Sequence, residues 1–259
     1  MTKAIILAAG SGQRLRPYTD STPKCLIEIA GRSLLDRQIE VFLRHGIDDI
    51  TVVTGHAADK ITDARVSTRH NPEFDITNMV YSLFAASEIL ATGEDVIVSY
   101  GDIVYEHSVL AGLIGSDAPI SISIDVNWRS YWETRMTDPL ADAETLRLDD
   151  SGNVIELGKR PSNYSQIQGQ YIGLIKFDKV LSVQLSTIYG SLDSDGSYDG
   201  RRPDNMYMTS FLQLLIDSGW RAGSVPIENG WLELDTTDDL KLYESMIAEG
   251  TLSRYCELY

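Results

Sequence analysis

After Lys3 the chain runs without a polar residue to Ala9 and then meets Gly10, Ser11 and Gly12. An apolar run of this length, closed by glycines and lacking polar alternation, predicts a strand at Lys3 to Ala8 buried on both faces. Strands covered on both faces belong to parallel sheets flanked by helices, so the opening ten residues already point to a layered α/β fold. The pattern downstream agrees. Ser33 to His45 carries Leu34, Leu35, Ile39, Phe42 and Leu43 at helical spacing and closes at Gly46,. Ile50 to Thr54 reads as a second buried strand, and residues around Val66 as a short one before Asn71.

Further along, Thr77 to Leu90 predicts one amphipathic helix, Val96 to Ser99 a strand ending at Gly101-Asp102, His107 to Ile114 a crossover helix and Ile120 to Val126 another strand,. The second half changes character. Thr145 to Leu148 and Val154 to Leu157, around Asp150-Ser151-Gly152-Asn153, predict a hairpin,. Gln170 to Phe177 is a further strand, Lys179 to Tyr189 and Met206 to Ser218 are helices, and Ala222 to Pro226, Trp231 to Leu234 and Asp238 to Glu249 complete a strand, strand, helix ending. Gly190 to Asp204, rich in Gly, Ser and Asp, predicts an exposed segment that could close as a lid,. The expected architecture is a Rossmann-like three-layer α/β/α fold with a mostly parallel, mixed central sheet. We read residues 1–259 as a single domain, with a core at 1–125 and a second portion at 126–259 that carries an inserted hairpin.

Charge narrows the function. The 259 residues include 38 acidic and 22 basic side chains, a formal net charge of -16. Such a chain repels nucleic-acid backbones and anionic membranes unless basic residues are concentrated somewhere. They are concentrated at the N-terminus: up to Arg37, Lys3, Arg14, Arg16, Lys24, Arg32 and Arg37 face only Asp20, Glu28 and Asp36. This cationic island asks for an anionic partner. No apolar run approaches the ~20 residues of a membrane span, and the N-terminus lacks a signal-peptide layout, so a cytoplasmic protein is expected, with neither nucleic acid nor membrane as partner. Cys25 and Cys256 are too few for a disulfide framework or a zinc site,. Cys25 is expected to be a buried small hydrophobe, and His45, His56, His70 and His107 to be structural or surface residues.

The segment from Leu7 to Thr19, LAAGSGQRLRPYT, followed by Thr22-Pro23-Lys24, holds the strongest chemical signal. Glycines let backbone N–H groups approach phosphates, Arg14 and Lys24 add fixed positive charge, and Ala8 and Ala9 leave room for a flat base. The pattern is neither a P-loop nor a dinucleotide fingerprint, since the Gly-Lys-Ser/Thr and the third glycine are both missing. It resembles the nucleotidyltransferase family with the signature G-x-G-x-R-[LM]-x-P…P-K. The likeness extends to Ser99-Tyr100-Gly101-Asp102 and to Glu233-Leu234-Asp235-Thr236 in the same order. The resemblance implies that Leu7, Ala8, Ala9, Gly10, Ser11, Gly12, Arg14, Lys24, Asn78, Ser82, Tyr100 and Gly101 bind a nucleoside triphosphate. It also implies that Lys24, Arg14 and Asp102 are catalytic, and that Asp102 and Asp235 hold Mg²⁺. Transfer of the nucleotidyl group to a phosphorylated small molecule, with pyrophosphate leaving, would then follow.

Asn71-Pro72-Glu73-Phe74-Asp75-Ile76-Thr77-Asn78-Met79-Val80-Tyr81-Ser82-Leu83, Gly158-Lys159 and Asp204-Asn205-Met206-Tyr207 look like the branch of cytidylyltransferases acting on phosphocholine or small phosphonates. That branch implies CTP. With its last expected helix close to Tyr259, the sequence is not expected to carry the hexapeptide repeats of some sugar enzymes. Trp128, Trp132, Tyr171 and Trp231, with Glu233 nearby, are candidates to enclose an acceptor's ammonium group. Arg135 and Lys159 are candidates for its anionic group. Two alternatives stay open: a sugar-1-phosphate nucleotidyltransferase using UTP, dTTP or GTP, and a nucleotide-binding regulator without turnover. The sequence is also compatible with a homodimer.

Overall fold

A computed structural model describes residues 1–258. One seven-stranded sheet runs in the order Ala222–Ile227, Ile120–Asp125, Gln170–Phe177, Val96–Tyr100, Lys3–Ala8, Ile50–Thr54, Ser67–His70. Gln170–Phe177 is antiparallel to both neighbours, and every other pairing is parallel. The expected mixed, mostly parallel sheet is therefore present, and it draws strands from both halves of the chain.

Alternation along the first strand explains the layers. Ala4, Ile6 and Ala8 enter one hydrophobic core, while Ile5 and Leu7 enter the other,. Helices Leu34–Arg44, His107–Ile114, Trp128–Arg135 and Thr237–Glu249 cover the first face. Met79–Phe84, Ser87–Leu90, Lys179–Gly190 and Met208–Asp217 cover the second. Among the described residues no helix is long and apolar enough to cross a membrane.

Three local outcomes differ from the sequence reading. The single helix expected over Thr77 to Leu90 is two short ones, Met79–Phe84 and Ser87–Leu90. At their junction Ala85 N–H is shared between the carbonyls of Tyr81 and Ser82, and Ala86 N–H bonds to Leu83, so the turn tightens and the helix axis breaks,. A strand Ile103–Tyr105, absent from the reading, pairs antiparallel with Trp231–Glu233. The polar-looking stretch after Asn127 is a helix, Trp128–Arg135, whose buried residues Trp128, Tyr131 and Trp132 belong to the core. Its inward face follows the spacing i, i+3, i+4, i+7, which the intervening charged residues obscured.

Candidate active site

The first strand lies between Ile50–Thr54 and Val96–Tyr100, where the chain, having wound outward in one direction, returns on the other side. The crevice beyond the carboxyl ends of strands at such a reversal is the usual ligand site of open α/β sheets. A cavity of about 430 Å³ occupies it. All twelve residues assigned to the nucleotide line this cavity: the Leu7 to Gly12 loop, Arg14, Lys24, Asn78, Ser82, Tyr100 and Gly101. Asp102 and Asp235 line it as well.

Local structure places each group. Gly12 sits in the left-handed region at φ 58°, and a Cβ there would lie 3.0 Å from Thr19 and 3.3 Å from Lys24, so the loop folds tightly onto the lysine-bearing segment. Lys24 opens a 3₁₀ turn after Pro23. Gly101 continues the sheet by donating to Leu7 O at 2.8 Å, which brings Asp102 beside the loop. Asp235 lies one residue before Thr236, the cap of the last helix. There Asp239 and Thr236 bond reciprocally, and Asp239 Oδ2 also accepts the Asp235 N–H at 3.0 Å. Leu234 N–H to Asp102 O, 2.9 Å, joins the two acidic segments.

These elements converge on one electrostatic knot. Lys24 Nζ donates to Asp102 Oδ2 at 2.8 Å and to Asp235 Oδ1 at 2.9 Å, and Arg14 Nη2 reaches Asp235 Oδ2 at 2.6 Å. Burial alone would lower the Lys24 pKa, but the two carboxylates outweigh it and hold the ammonium charged,. Of the six cations in the N-terminal island, only Arg14 and Lys24 face the cavity. Arg16 and Arg32 pair with nearby acids, and Arg37 bonds to Ile29 O. Cys25 also lines the cavity, yet it is buried and its thiol is pushed up to about 12 by that burial. None of the four histidines lines the cavity.

The residues present fit a magnesium ion. Asp102 Oδ1 is buried and has no hydrogen-bond partner, beside a second carboxylate already drawn to the same cation. Among the described residues no group of three or more His, Cys, Asp or Glu is arranged to hold a metal. Magnesium bound through one or two carboxylates and substrate phosphates asks for no such group.

A second cavity, about 200 Å³, shares Arg14, Met79, Tyr100 and Asp235 with the first. Trp132, Tyr171, Trp231 and Glu233 line it as the sequence suggested, joined by Asp142, Glu144, Gln170, Tyr207 and Thr209, which sequence reasoning missed. Glu144 is exposed and lines the cavity, yet the protein packed around its carboxyl, together with Asp142 and Glu233, pushes it up to about 7. Gln170 brackets the Glu144 backbone by bonding to its N–H and C=O at 3.0 and 2.6 Å. Burial also raises the Glu233 carboxyl, while Arg135 opposes the shift.

Three other acceptor candidates do not reach this cavity. Trp128 packs edge-on against Trp132 and tilts over Tyr164. Lys159 is exposed and pairs with Glu156 at 3.1 Å. Arg135 is withdrawn behind the cavity wall, its side chain 3 % exposed and engaged by two carboxylates. The segment from Gly190 to Asp204 is largely exposed, and its end is tied down, since Asp204 O accepts the Asn78 N–H at 3.1 Å.

Tyr100, with Arg14, Met79 and Asp235, lines both cavities. Its ring meets Tyr171 edge-on at 5.6 Å, and it rests on Gly173, where φ is 84° and a Cβ would come within 2.7 Å of the Tyr100 ring. The register with Ile120–Asp125 shifts between Tyr171 and Ile175, around this glycine.

Comparisons with known proteins place the chain among nucleotidyltransferases. Residues 4–126 match the model of the MobA-like NTP transferase domain. The chain is 39 % identical to the CTP:phosphoglutamine cytidylyltransferase of Campylobacter jejuni, over 92 % of this chain and 98 % of that protein. It is also 39 % identical to the choline-phosphate cytidylyltransferase of Streptococcus pneumoniae, over 34 % of this chain and 41 % of that one. The fold superposes on the inositol-1-phosphate CTP transferase from T. maritima with a TM-score of 0.72 at 20 % identity, covering 100 % of this chain and 98 % of the other. The chain belongs to the NTP transferase family of nucleotidyltransferase enzymes, with cytidylyltransferases among its relatives.

Proposed function

We propose that the protein is a Mg²⁺-dependent cytidylyltransferase that transfers CMP from CTP to a small phosphorylated or phosphonic acid carrying an ammonium group, with release of pyrophosphate. The observation that carries this reading is the Lys24, Arg14, Asp102 and Asp235 knot at the junction of two cavities. The larger cavity suits the nucleotide. CTP is favoured by the two relatives at 39 % identity, both named as cytidylyltransferases.

The smaller cavity favours a cationic acceptor. Its lining includes Asp142, Glu144, Glu233 and Asp235 against one basic side chain, Arg14, which stands on the nucleotide side. The rings of Trp132, Tyr171 and Trp231 offer apolar walls and π-faces to an ammonium,. The sugar of a hexose phosphate is neutral and has no group that calls for so many carboxylates. The same consideration stands against the sugar-1-phosphate alternative.

In the reaction an anionic oxygen of the acceptor attacks the α-phosphorus of CTP. The bond to the oxygen bridging to the β-phosphorus breaks, and pyrophosphate leaves in line with that electron pair. The attacking oxygen is already anionic, so no protein base is required. Lys24 stabilises charge growing on the α-phosphate, Arg14 and the glycine loop orient the triphosphate, and Asp102 and Asp235 hold the metal. Bound there, Mg²⁺ would neutralise phosphate charge and fix the phosphate geometry.

A pyrophosphate-release assay pairing CTP, UTP, dTTP and GTP with phosphocholine, 2-aminoethylphosphonate, phosphoglutamine and a hexose 1-phosphate tests the reading. Turnover is expected with CTP and an ammonium-bearing acceptor, and is expected to stop when EDTA removes Mg²⁺. Turnover confined to the hexose phosphate would instead establish the sugar alternative. CTP binding without turnover on any acceptor would support a regulator.

A further inference from the structure

The guanidinium of Arg135 is shared between two carboxylates that flank Asp235 in sequence. Nη1 donates to Glu233 Oε2 at 2.8 Å, and Nε and Nη2 donate to Asp239 at 2.9 and 3.3 Å. The plane is held from the sides by Tyr131 and Trp132, whose ring centroids lie 5.2 and 5.5 Å from the guanidinium carbon. The two carboxylates lead to different places. Glu233 lines the smaller cavity. Asp239 Oδ2 accepts the backbone N–H groups of Asp235 and Thr236 at 3.0 and 2.8 Å, which fixes the peptide from which the Asp235 side chain extends toward Lys24 and Arg14.

We propose that Arg135 is a positioning residue that couples the two halves of the site: one planar cation sets the acceptor-side carboxylate of Glu233 and, through Asp239, the metal-side carboxylate of Asp235. This inference rests on the reading of Asp235 as a metal ligand and of the smaller cavity as the acceptor site. A planar fork can serve two carboxylates at fixed angles, whereas a lysine ammonium is a point charge on a flexible stem. Arg135 thus acts without touching either substrate, being enclosed behind the wall that both share. The helix Trp128–Arg135, which supplies no catalytic group, acquires a role as the support for the strand end at Glu233 and the helix start at Asp239.

The test uses the full chain and the variants Arg135→Lys and Asp239→Asn, with Leu185→Ala as a stability control in the opposite core layer. Binding of Mn²⁺ in the presence of CTP and the absence of acceptor is followed by the electron paramagnetic resonance of free Mn²⁺. Acceptor KM, kcat and Tm are measured alongside. Arg135→Lys is expected to weaken Mn²⁺ binding and raise acceptor KM, each by roughly tenfold. Asp239→Asn is expected to weaken Mn²⁺ binding alone, with acceptor KM within about twofold, because its contacts with the acceptor side are indirect. Leu185→Ala is expected to lower Tm with neither change. Folded Arg135→Lys with both constants like the wild type overturns the coupling. If Arg135→Lys does not fold, an unchanged Mn²⁺ affinity in Asp239→Asn overturns the metal-side arm. Should the wild type itself show no CTP-dependent Mn²⁺ binding, the functional reading fails instead.

Discussion

The two cavities meet at Arg14, Met79, Tyr100 and Asp235 but are constructed differently. The larger one is centred on a contiguous stretch, Leu7 to Arg14, and is completed by Lys24 and Cys25, by Phe74, Thr77 to Met79 and Ser82, by Tyr100 to Asp102 and by Asp235. It presents backbone and cations. The smaller one is assembled from Trp132, Asp142, Glu144, Gln170 to Gly173, Tyr207 to Thr209 and Trp231 to Asp235, and presents carboxylates and rings. A site centred on one loop at the end of one strand has its largest part in place once that strand is placed. A site made by many segments exists only when the sheet, the hairpin and the last helix have all packed. The first arrangement suits a ligand portion common to many reactions, the triphosphate; the second suits the portion that differs.

If this contrast holds, damage to the common side should be severe and general. Lys24→Ala and Asp102→Asn are each expected to lower kcat/KM by about 10²-fold or more, whichever acceptor is used, as expected for loss of a charge-stabilising group. Steady-state pyrophosphate release checks this, and near-normal rates would remove these residues from the chemistry. Damage to the acceptor side should be selective. Glu144→Gln is expected to raise acceptor KM roughly tenfold while leaving the KM for CTP unchanged.

The pH profile sharpens the same point. Because the Glu144 carboxyl sits at about 7, its charge is present above that pH and is lost as pH falls through it. Acceptor KM should therefore climb on the acid side of neutrality in the wild type. That part of the climb should vanish in Glu144→Gln, leaving only the titration of the acceptor itself. A profile identical in both proteins would take Glu144 out of acceptor binding. The smallest effect belongs to Lys159, which is exposed and paired with Glu156 outside both cavities. Lys159→Ala is expected to leave every kinetic constant within about twofold; a large rise in acceptor KM would return it to the site.

The same asymmetry governed what could be read beforehand. Lys3 to Ala8, Gln170 to Phe177 and His107 to Ile114 fall where expected, because long apolar runs and strong helical spacing are dominated by burial. The Leu7 to Lys24 part of the larger cavity was legible because its glycines and cations are close in sequence, whereas Asn78, Ser82, Tyr100 and Asp235 were named through the family resemblance. Glu144 gave no signal: it sits between a 3₁₀ turn and a short strand, and only the fold brings it near Glu233 and Gln170. Arg135 was misread for the opposite reason. As a charged residue in a polar-looking stretch it looked available to a ligand, whereas helical spacing turns it inward with Trp128, Tyr131 and Trp132. The strand Ile103–Tyr105 was hidden by its three-residue length and by a partner, Trp231–Glu233, more than a hundred residues away.

Gly173 has a bearing on how such an enzyme can change. Residues such as Glu144, Tyr207 and Thr209 touch the smaller cavity alone, so on the proposed reading they can be exchanged to suit a new acceptor while the triphosphate end is left as it was. Tyr100 touches both, and the room it occupies exists because position 173 carries no side chain. A single methyl group there would displace Tyr100 and, on the proposed reading of the two cavities, disturb both substrates at once. Variation in acceptor choice should therefore run around this position rather than through it, with the periphery of the small cavity free to drift and its hinge against the nucleotide held still.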